Sequence, residues 1–436
     1  MHSTRLIFSP EETAFAAPAP VHDSASLSVE VSPEWATTSV QVATDREAVK
    51  ALRPYWEPAT NGLDTDIDYY LQNLKNDWTI LRPYVISIFR RREQPSMLLG
   101  YIRSRKASTR ISMVQVPGPR ARVLEIVPNG LLGPATPDVK KLMINRLAKT
   151  LEAEVDLLCF RRLALDGPLF REVSQIPGLL TGVRVPHTFS YSTVTLAESR
   201  EVPAGKRFMV FSGKMRREAR RKTSNLQKAF PGGVTFKCFS DLGELNTGLA
   251  DIEKVSSAAW QHSLGVGFTD ILPSLEAYRA FARKGWLRIF VLYVGGQPCA
   301  YLLGQLHSGM FYCQRTGYHP NFARYSVGSV LTAMAFESLS AAGTQQVNLG
   351  EGDQEHNRRL GCEKNEEGTV HVYAPTLRGI ELNLFFGITQ AVRGAGRQAQ
   401  EGLRLDRLNK RWRQYWRSKW QSSEPPTLEA GAEVLD

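Results

Sequence analysis

Apolar runs and amphipathic segments follow each other in the same order in both halves of the chain. In each half, strand-like runs come first, an amphipathic helix follows, and a further strand closes the series. In the first half the predicted strands are 85–89, 97–102, 111–116, 123–127 and 155–160, with a helix at 137–153. In the second half they are 286–294, 300–306, 309–318 and 345–350, with a helix at 326–342.

A short sequence echo supports an internal duplication. Gln94-Pro95 precede Leu98-Leu99-Gly100, and Gln297-Pro298 precede Leu302-Leu303-Gly304. The echo alone is at chance level, but the shared order of elements makes a duplication the better interpretation. We therefore predict an α/β (α+β) fold with two tandem domains, each a mixed sheet flanked by helices. Both halves also open with helical runs, at 45–56, 66–75, 241–262 and 273–284.

These elements set the predicted domain boundaries. We expect a first domain over 35–184, a second over 185–380 and a helical appendage over 381–420. Both ends are predicted to be disordered tails, 1–34 and 421–436, because they lack periodic apolar residues.

Composition narrows the class of protein. Hydrophobic residues make up 42% and charged residues 22% of the 436 positions, as in soluble globular proteins. The five cysteines are scattered without a CxxC pair, which predicts neither a metal site nor a disulfide framework. No signal peptide and no membrane span are predicted, so we expect a cytoplasmic protein.

The net charge of +11 is concentrated in two segments. Residues 214–228 and 404–419 each carry seven basic residues against one acidic residue. Such patches attract phosphate groups of cofactors, sugar nucleotides, RNA or lipids, and charge alone does not distinguish these partners.

The first basic segment is predicted to be a helix from Phe211 to Phe230. Its apolar residues share one face, and two pairs of arginines stack at i,i+4 on other faces, where they repel each other unless an anion or a carboxylate lies nearby. Two interpretations remain open: a solvated basic face, or a contact with a polyanion such as a nucleotide-sugar or a lipid-linked pyrophosphate. The paired arginines are Arg216 with Arg220 and Arg217 with Arg221.

A second candidate site lies at the predicted start of the helix at 326–342. Gly328 in its first turn would let a phosphate approach the free backbone N–H groups, where the helix dipole also favours anions. The alternative is a plain helix start capped by the Ser326 side chain. The matching helix of the first half begins with Pro134, Pro137 and Asp138, which disfavour a phosphate, so we expect one active site per chain.

A third candidate is the polar stretch 348–361, which follows a predicted strand. Together with the basic helix, the hairpin and the glycine-marked helix start, its order and spacing resemble those of the GNAT acyltransferases. The chain is most similar to their double-domain group, which includes CelD-like proteins of polysaccharide assembly and the Fem aminoacyltransferases. The resemblance covers residues 185–373 well and residues 42–181 in outline.

The resemblance assigns roles to individual residues. It implies that the pyrophosphate of acetyl-CoA binds at Ser326, Val327, Gly328 and Ser329, where Val327 replaces the proline usual in the group. A base is needed to take the proton of the acceptor, and the candidates are Asp353, His356 and Glu351. The implied substrate-binding residues are Lys214, Arg217, Arg220, Arg221, Trp260 and Asn357, the last in place of a lysine.

Three functions are compatible with these residues. The first is acyl transfer, with acetyl as the expected group, from CoA to an amine or hydroxyl of a sugar or cell-envelope precursor. The second is Fem-like aminoacyl transfer from charged tRNA, although the chain lacks a long coiled-coil insertion, and nucleic acid is not the expected partner. The third is a non-catalytic scaffold of a polysaccharide synthesis machinery. The oligomeric state stays open.

The second basic segment is predicted to be an amphipathic helix with cations on one side. Its apolar face would contact an anionic membrane from the inner side or pack against the rest of the protein. That face consists of Leu405, Leu408, Trp412, Tyr415, Trp416 and Trp420.

Overall fold

The computed structural model describes residues 38–90, 93–111, 114–174, 183–196, 208, 211, 213–258, 272–350 and 363–402. These residues fall into two compact units. Unit 1 contains the described residues up to Phe189 together with Glu366–Leu403, and unit 2 contains those from Ser190 to Asn365. The predicted domain boundaries remain a prediction, since units defined by contacts need not coincide with duplicated domains.

The described secondary structure consists of strands and helices, with short 3₁₀ turns between some of them. The strands are β1 (Thr38–Ala43), β2 (Ile80–Arg90), β3 (Ser96–Ile111), β4 (Val114–Leu132), β5 (Leu157–Ala164), β6 (Val183–Thr195), β7 (Val234–Phe239), β8 (Leu287–Val294), β9 (Gln297–His307), β10 (Met310–Tyr318), β11 (Gln346–Asn348) and β12 (Glu363–Tyr373). The helices are α1 (Arg46–Ala51), α2 (Arg53–Trp56), α3 (Ile67–Asn76), α4 (Pro137–Ala153), α5 (Pro168–Val173), α6 (Gly213–Ala229), α7 (Leu242–Ala258), α8 (Leu272–Arg283), α9 (Val327–Ala341) and α10 (Leu377–Gly402).

Unit 1 contains a mixed sheet in the order β1-β2-β3-β4-β5-β12. Only β4 and β5 run parallel, joined by α4 as the crossover helix, and the other neighbours are antiparallel. The last strand, β12, comes from residues beyond unit 2 in the chain, so unit 1 is completed only when the chain returns to it.

Helices cover both faces of this sheet. On one face α4 packs Val139, Met143 and Leu147 against strand residues such as Leu124 and Leu158. On the other face lie α1 to α3 and, beside them, α10. Leu382 and Phe386 of α10 are buried against Val123, Leu157 and Tyr373, which supplies the partner surface that this apolar segment needs.

A buried carboxylate, Glu125 of β4, lies among arginines on the same face. Arg103, Arg105 and Arg161 each place a guanidinium nitrogen within 3.6 Å of its carboxylate. Burial by itself would raise the pKa of Glu125, but the arginines hold it below its usual value. Glu125 is therefore ionised and fully engaged in ion pairs, which is a structural arrangement rather than that of a free base.

Unit 2 contains a second mixed sheet in the order β6-β11-β10-β9-β8-β7, with β6 contributing its residues from Ser190 onwards. Strands β10 and β11 are parallel, and the other neighbours are antiparallel. The parallel ladder is short, since it joins Met310–Tyr312 only to Gln346–Asn348. Beyond Tyr312, β10 continues along β9 with an irregularity between Cys313 and Arg315.

Strand β8 shows why unit 2 has three layers. Phe290, Leu292 and Val294 point to one face and join the core formed with α6 and α9. Ile289, Val291 and Tyr293 alternate with them and point to the opposite face. There α7 packs closely, and the Tyr293 hydroxyl donates a hydrogen bond of 2.6 Å to the Asp251 carboxylate. A strand buried on both faces is apolar at nearly every position, as the sequence of β8 is.

The predicted fold class, α/β with two mixed sheets flanked by helices, is confirmed. One local prediction was wrong: residues 111–116 are not a separate strand, because β3 ends at Ile111 and β4 begins at Val114 in a long hairpin. Pro117 and Pro119 lie where the pairing register of β3 and β4 shifts, and prolines are tolerated where a bulge interrupts the ladder.

The predicted appendage is helical as far as α10 extends, and residues 404–420 lie outside the described part of the chain. None of the helices in the described ranges combines the length and hydrophobicity needed to cross a membrane.

Two leucines of α10 test its packing on unit 1. We expect Leu382→Ala to lower the free energy of unfolding by about 2–5 kcal/mol, because Leu382 is 0% exposed and its loss leaves a cavity. Leu384→Ala on the same helix is the matched control: Leu384 is 59% exposed, and its change should stay within about 0.5 kcal/mol. Denaturant unfolding measures both variants, and equal losses would show that α10 does not pack as described.

Candidate functional site

The segment that leads from β10 into α9 is anchored by aromatic packing. Phe322 is 5% exposed and lies in the core of unit 2. Phe230, just after α6, contacts the rings of Phe322 and Tyr325 at centroid distances of 6.3 and 5.0 Å. Burial lowers the pKa of His319 below its usual value, so this ring is neutral at pH 7 and accepts the Asn321 N–H through Nδ1. These contacts hold the start of α9 in place relative to α6.

The first turn of α9 presents backbone donors. Ser326 adopts a left-handed conformation, with φ 56° and ψ 36°, and its side chain does not cap the helix. The first intrahelical bond runs from the Val330 N–H to the Ser326 carbonyl. The N–H groups of residues 327–329 precede that bond and so have no acceptor within the helix. A plain start capped by the Ser326 side chain is therefore not what the structure shows.

A lysine from α6 reaches this turn. The Lys222 ammonium donates to the Ser329 hydroxyl at 3.2 Å and forms an ion pair with Glu218 at 2.7 Å. Its side chain is 22% exposed, so the charge lies in a partly desolvated position where electrostatic attraction is stronger than in bulk water. A cation beside an open helix N-terminus forms a strong site for a phosphate group.

Gly328 leaves room at the same turn. A Cβ atom placed on it would meet only Tyr318 Cδ1, at 3.5 Å, which is an ordinary contact. The protein itself therefore does not require glycine here, although a ligand approaching the backbone would.

The helix start lies at the carboxyl end of a parallel strand pair. Strands β10 and β11 pair only as far as Tyr312 and Asn348, and α9 follows the carboxyl end of β10. In α/β sheets, ligands bind outside the carboxyl ends of parallel strands, where the chain topology opens a crevice. The open turn, Lys222 and the end of the parallel ladder thus define the candidate site.

The predicted basic residues all lie on α6. Lys214, Arg217, Arg220 and Arg221 are exposed, while Ala219 and Leu226 of this helix are buried. At 100° per residue, Lys214 and Arg221 lie about 80–100° from Lys222, and Arg220 lies about 160° away, on the opposite side. The structure therefore places Lys214 and Arg221 on the flank nearest the candidate site.

The sequence analysis missed Lys222 as a site residue. A usable signal was present in the sequence, because Lys222 lies on the apolar face of the helix with Met215 and Leu226. A charged side chain is unusual on such a face unless it has a partner. Lys222 also stands four residues after Glu218, a spacing that favours an ion pair.

Several predicted site residues cannot be placed. Asp353, His356, Glu351, Trp260 and Asn357 lie outside the described residues. Among the residues that the structure does describe, no group of three or more His, Cys, Asp or Glu could hold a metal ion.

The matching helix start in unit 1 differs in its donors. Helix α4 begins with Pro137 after Thr136, whose side chain does not cap it, and Asp138 follows in the first turn. Proline removes one donor and the aspartate repels anions. That unit 1 binds no CoA remains a prediction, and the composition of this turn supports it.

Comparisons with known proteins agree with the architecture of unit 2. Residues 213–358 match the family model described as the acetyltransferase (GNAT) domain. This match confirms the resemblance to the GNAT superfamily, and this part of the chain has the fold of an acyltransferase. Comparison with curated protein sequences gave no match.

Solved structures with a similar fold come from several proteins. FemX aligns over 76% of this chain and 97% of its own, at 10% identity and a TM-score of 0.49. L-PGS from Bacillus licheniformis aligns over 79% and 96%, at 13% identity and a TM-score of 0.44. A tandem GNAT protein from the clavulanic acid biosynthesis pathway aligns over 78% and 99%, at 12% identity and a TM-score of 0.43. Similarities this distant do not define an activity.

Two glycines test whether Gly328 serves packing or a ligand. We expect Gly328→Ala to raise the free energy of unfolding of the unliganded protein by up to about 1 kcal/mol, because alanine favours the helix and nothing clashes. Gly304→Ala is the control, since its Cβ would approach the Tyr312 carbonyl oxygen to 2.2 Å and should destabilise unit 2. Denaturant unfolding compares them, and a comparable loss in both variants would assign Gly328 to packing.

Proposed function

We propose that unit 2 binds an acyl-CoA, with acetyl as the expected group, and transfers the acyl group to an amine or hydroxyl of a sugar or cell-envelope precursor. The observation that carries this proposal is the open first turn of α9, with Lys222 beside it, at the carboxyl end of the short β10–β11 ladder. The match of residues 213–358 to the GNAT domain supports the choice of CoA among possible anions.

The residues present fit a pyrophosphate. The N–H groups of Val327, Gly328 and Ser329 precede the first helical bond and can donate to phosphate oxygens. Lys222 adds a full positive charge that now contacts the Ser329 hydroxyl, and an anion in this turn would compete for it. The missing side chain of Gly328 lets the phosphate reach the backbone.

Bound acyl-CoA supplies an activated thioester, and the chain supplies position and proton transfer. The acceptor forms a bond to the acyl carbon as the C–S bond breaks, and its proton passes through a base to the released thiol. Backbone N–H groups of β10 beyond Tyr312, where the parallel ladder ends, are suited to hold the carbonyl oxygen. Asp353, His356 and Glu351 remain the proposed bases.

The acceptor is proposed to carry negative charge. The exposed cations Lys214, Arg217, Arg220 and Arg221 of α6 would attract a nucleotide-sugar or a lipid-linked pyrophosphate. Trp260 and Asn357 remain proposed acceptor contacts. Peripheral contact with an anionic membrane through residues 404–420 likewise stays a proposal.

Calorimetric titration with acetyl-CoA tests the donor site. We expect Lys222→Met to weaken binding about 10- to 100-fold, because it removes a charge-assisted contact worth about 1.5–3 kcal/mol. Lys228→Met is the matched control, since it removes the same charge from an exposed position later on α6 and should change affinity less than about twofold. Gly328→Leu should abolish binding because its side chain would fill the space for the phosphate.

Three outcomes would contradict the proposal. Unchanged affinity in folded Lys222→Met and Gly328→Leu would remove α9 as the donor site. Failure of the unmodified protein to bind acetyl-CoA, together with acyl transfer from a charged tRNA, would indicate the aminoacyltransferase alternative. Failure to bind either donor would indicate the non-catalytic scaffold.

A further inference from the structure

Gln305 of β9 is a polar residue that is buried in the part of the chain that the structure describes. Its side chain is 1% exposed, and neither the amide nitrogen nor the amide oxygen has a hydrogen-bond partner there. Leaving both atoms of a buried amide unpaired is costly, because each has lost its hydrogen bonds to water and gained none in the protein. Buried polar groups in folded proteins are nearly always satisfied, so each exception deserves an explanation, and that of Gln305 depends on what lies beside it.

The strand register shows which residues lie beside Gln305. It is the cross-strand partner of Tyr312 in β10, and Tyr312 is the partner of Asn348 in β11. Cross-strand partners project from the same face of a sheet, so the three side chains form a polar row across the central strands. We call Gln305, Tyr312 and Asn348 the polar row. Asn348 already accepts the Gly350 N–H at 2.8 Å.

The polar row lies on the face opposite α9. Leu302 belongs to the core under α9, and a Cβ on Gly304 would meet the Phe311 ring of that same core. Gln305 alternates with Gly304 and therefore projects to the other side. This is the side of α7, because Tyr301, four residues earlier on the same face, interacts with Ser256 of that helix.

The row also marks the last rung of the parallel ladder. Tyr312 and Asn348 are the final paired residues of β10 and β11, and the two strands are no longer joined beyond them. The proposed donor site opens at the same carboxyl end of these strands. An acyl group held there would lie next to the polar row, on the side of the sheet that faces α7.

In unit 1 the two positions that correspond to Gln305 and Tyr312 carry polar groups that are satisfied. The echo that aligns Gly100 with Gly304 aligns Tyr101 with Gln305, and Tyr101 is the cross-strand partner of Glu125. Tyr101 stacks on Tyr70 at 4.4 Å and donates to the Tyr70 carbonyl, and the Glu125 carboxylate is paired with arginines. Unit 1 thus satisfies the polar groups at this position with its own side chains, whereas unit 2 leaves the Gln305 amide unpaired among the described residues.

We infer that Gln305 is an acceptor-binding residue of the transfer reaction that we propose for unit 2. Its Oε1 accepts a hydrogen bond from the attacking amine or hydroxyl, and its Nε2 donates to a neighbouring oxygen of the acceptor. An acceptor with two adjacent polar groups, such as an amino sugar, fits this pair of atoms. The inference rests on the proposed function and adds the residue that selects the acceptor.

The variant Gln305→Met tests this role because methionine keeps the length of the side chain and removes both unpaired atoms. We expect its melting temperature to rise by about 2–4 °C, since a buried penalty is relieved. Calorimetric affinity for acetyl-CoA should stay unchanged. Release of thiol from acetyl-CoA, with glucosamine and with water alone as acceptor, should fall at least tenfold.

Ser87→Ala provides the matched control. Ser87 of unit 1 is also 1% exposed, with a hydroxyl that has no partner among the described residues, and its replacement should stabilise without slowing thiol release. A lower melting temperature for Gln305→Met, or unchanged thiol release with both acceptors, overturns the inference. Failure of the unmodified protein to bind acetyl-CoA is a different result, which contradicts the proposed function itself.

Discussion

The proposed donor site depends on how α6 and α9 are held together in unit 2. The first turn of α9 carries three N–H groups without helical acceptors, and such groups attract an anion only if their surroundings keep them accessible. Aromatic contacts of Phe230 with Phe322 and Tyr325 hold the preceding segment, and the same helix pair brings Lys222 to Ser329. Glu218 partly neutralises Lys222 in the unliganded protein. The ammonium group of Lys222 can therefore lie beside the positive end of the α9 helix dipole with less repulsion.

The two units show how one architecture supports different chemistry. Both have a mixed sheet with a single described parallel pair crossed by a helix, β4–β5 with α4 and β10–β11 with α9. In unit 1 the polar positions next to that pair are closed by Tyr70 and by arginines around Glu125, and the crossover helix starts with proline. At these positions unit 1 is closed by its own side chains, whereas unit 2 keeps helix N–H groups without helical acceptors and the unpaired Gln305 amide, which supports the proposal of a binding site in unit 2.

The sequence predicted elements well where periodicity was strong. Helix α4 has the predicted bounds, and α9 differs by one residue at each end, because both combine a clear start signal with a sustained apolar face. Residues 111–116 were predicted as a separate strand, although Ile111 ends β3 and Val114 begins β4, because a run of apolar residues does not show where a hairpin turns. The pairing of β12 with β5 could not be predicted from the sequence either, because it joins residues about 200 positions apart and leaves no local pattern.

The candidate site was only partly predictable for the same reason. Gly328 stands in a local motif and could be proposed from it, whereas the position of Lys222 at the candidate site depends on packing against another helix. The role of Gln305 depends on strand register, since a shift of one residue would move its side chain to the other face.

Hydrogen–deuterium exchange at the backbone amides of residues 327–329, with and without acetyl-CoA, measures whether the donor binds at the first turn of α9. Because these amides lack helical acceptors, they should exchange readily in the unliganded protein. We expect saturating acetyl-CoA to slow their exchange at least tenfold and to leave the amides of residues 138–140, at the start of α4, unchanged. Tight binding of acetyl-CoA with no protection at residues 327–329 would contradict a donor site at this turn.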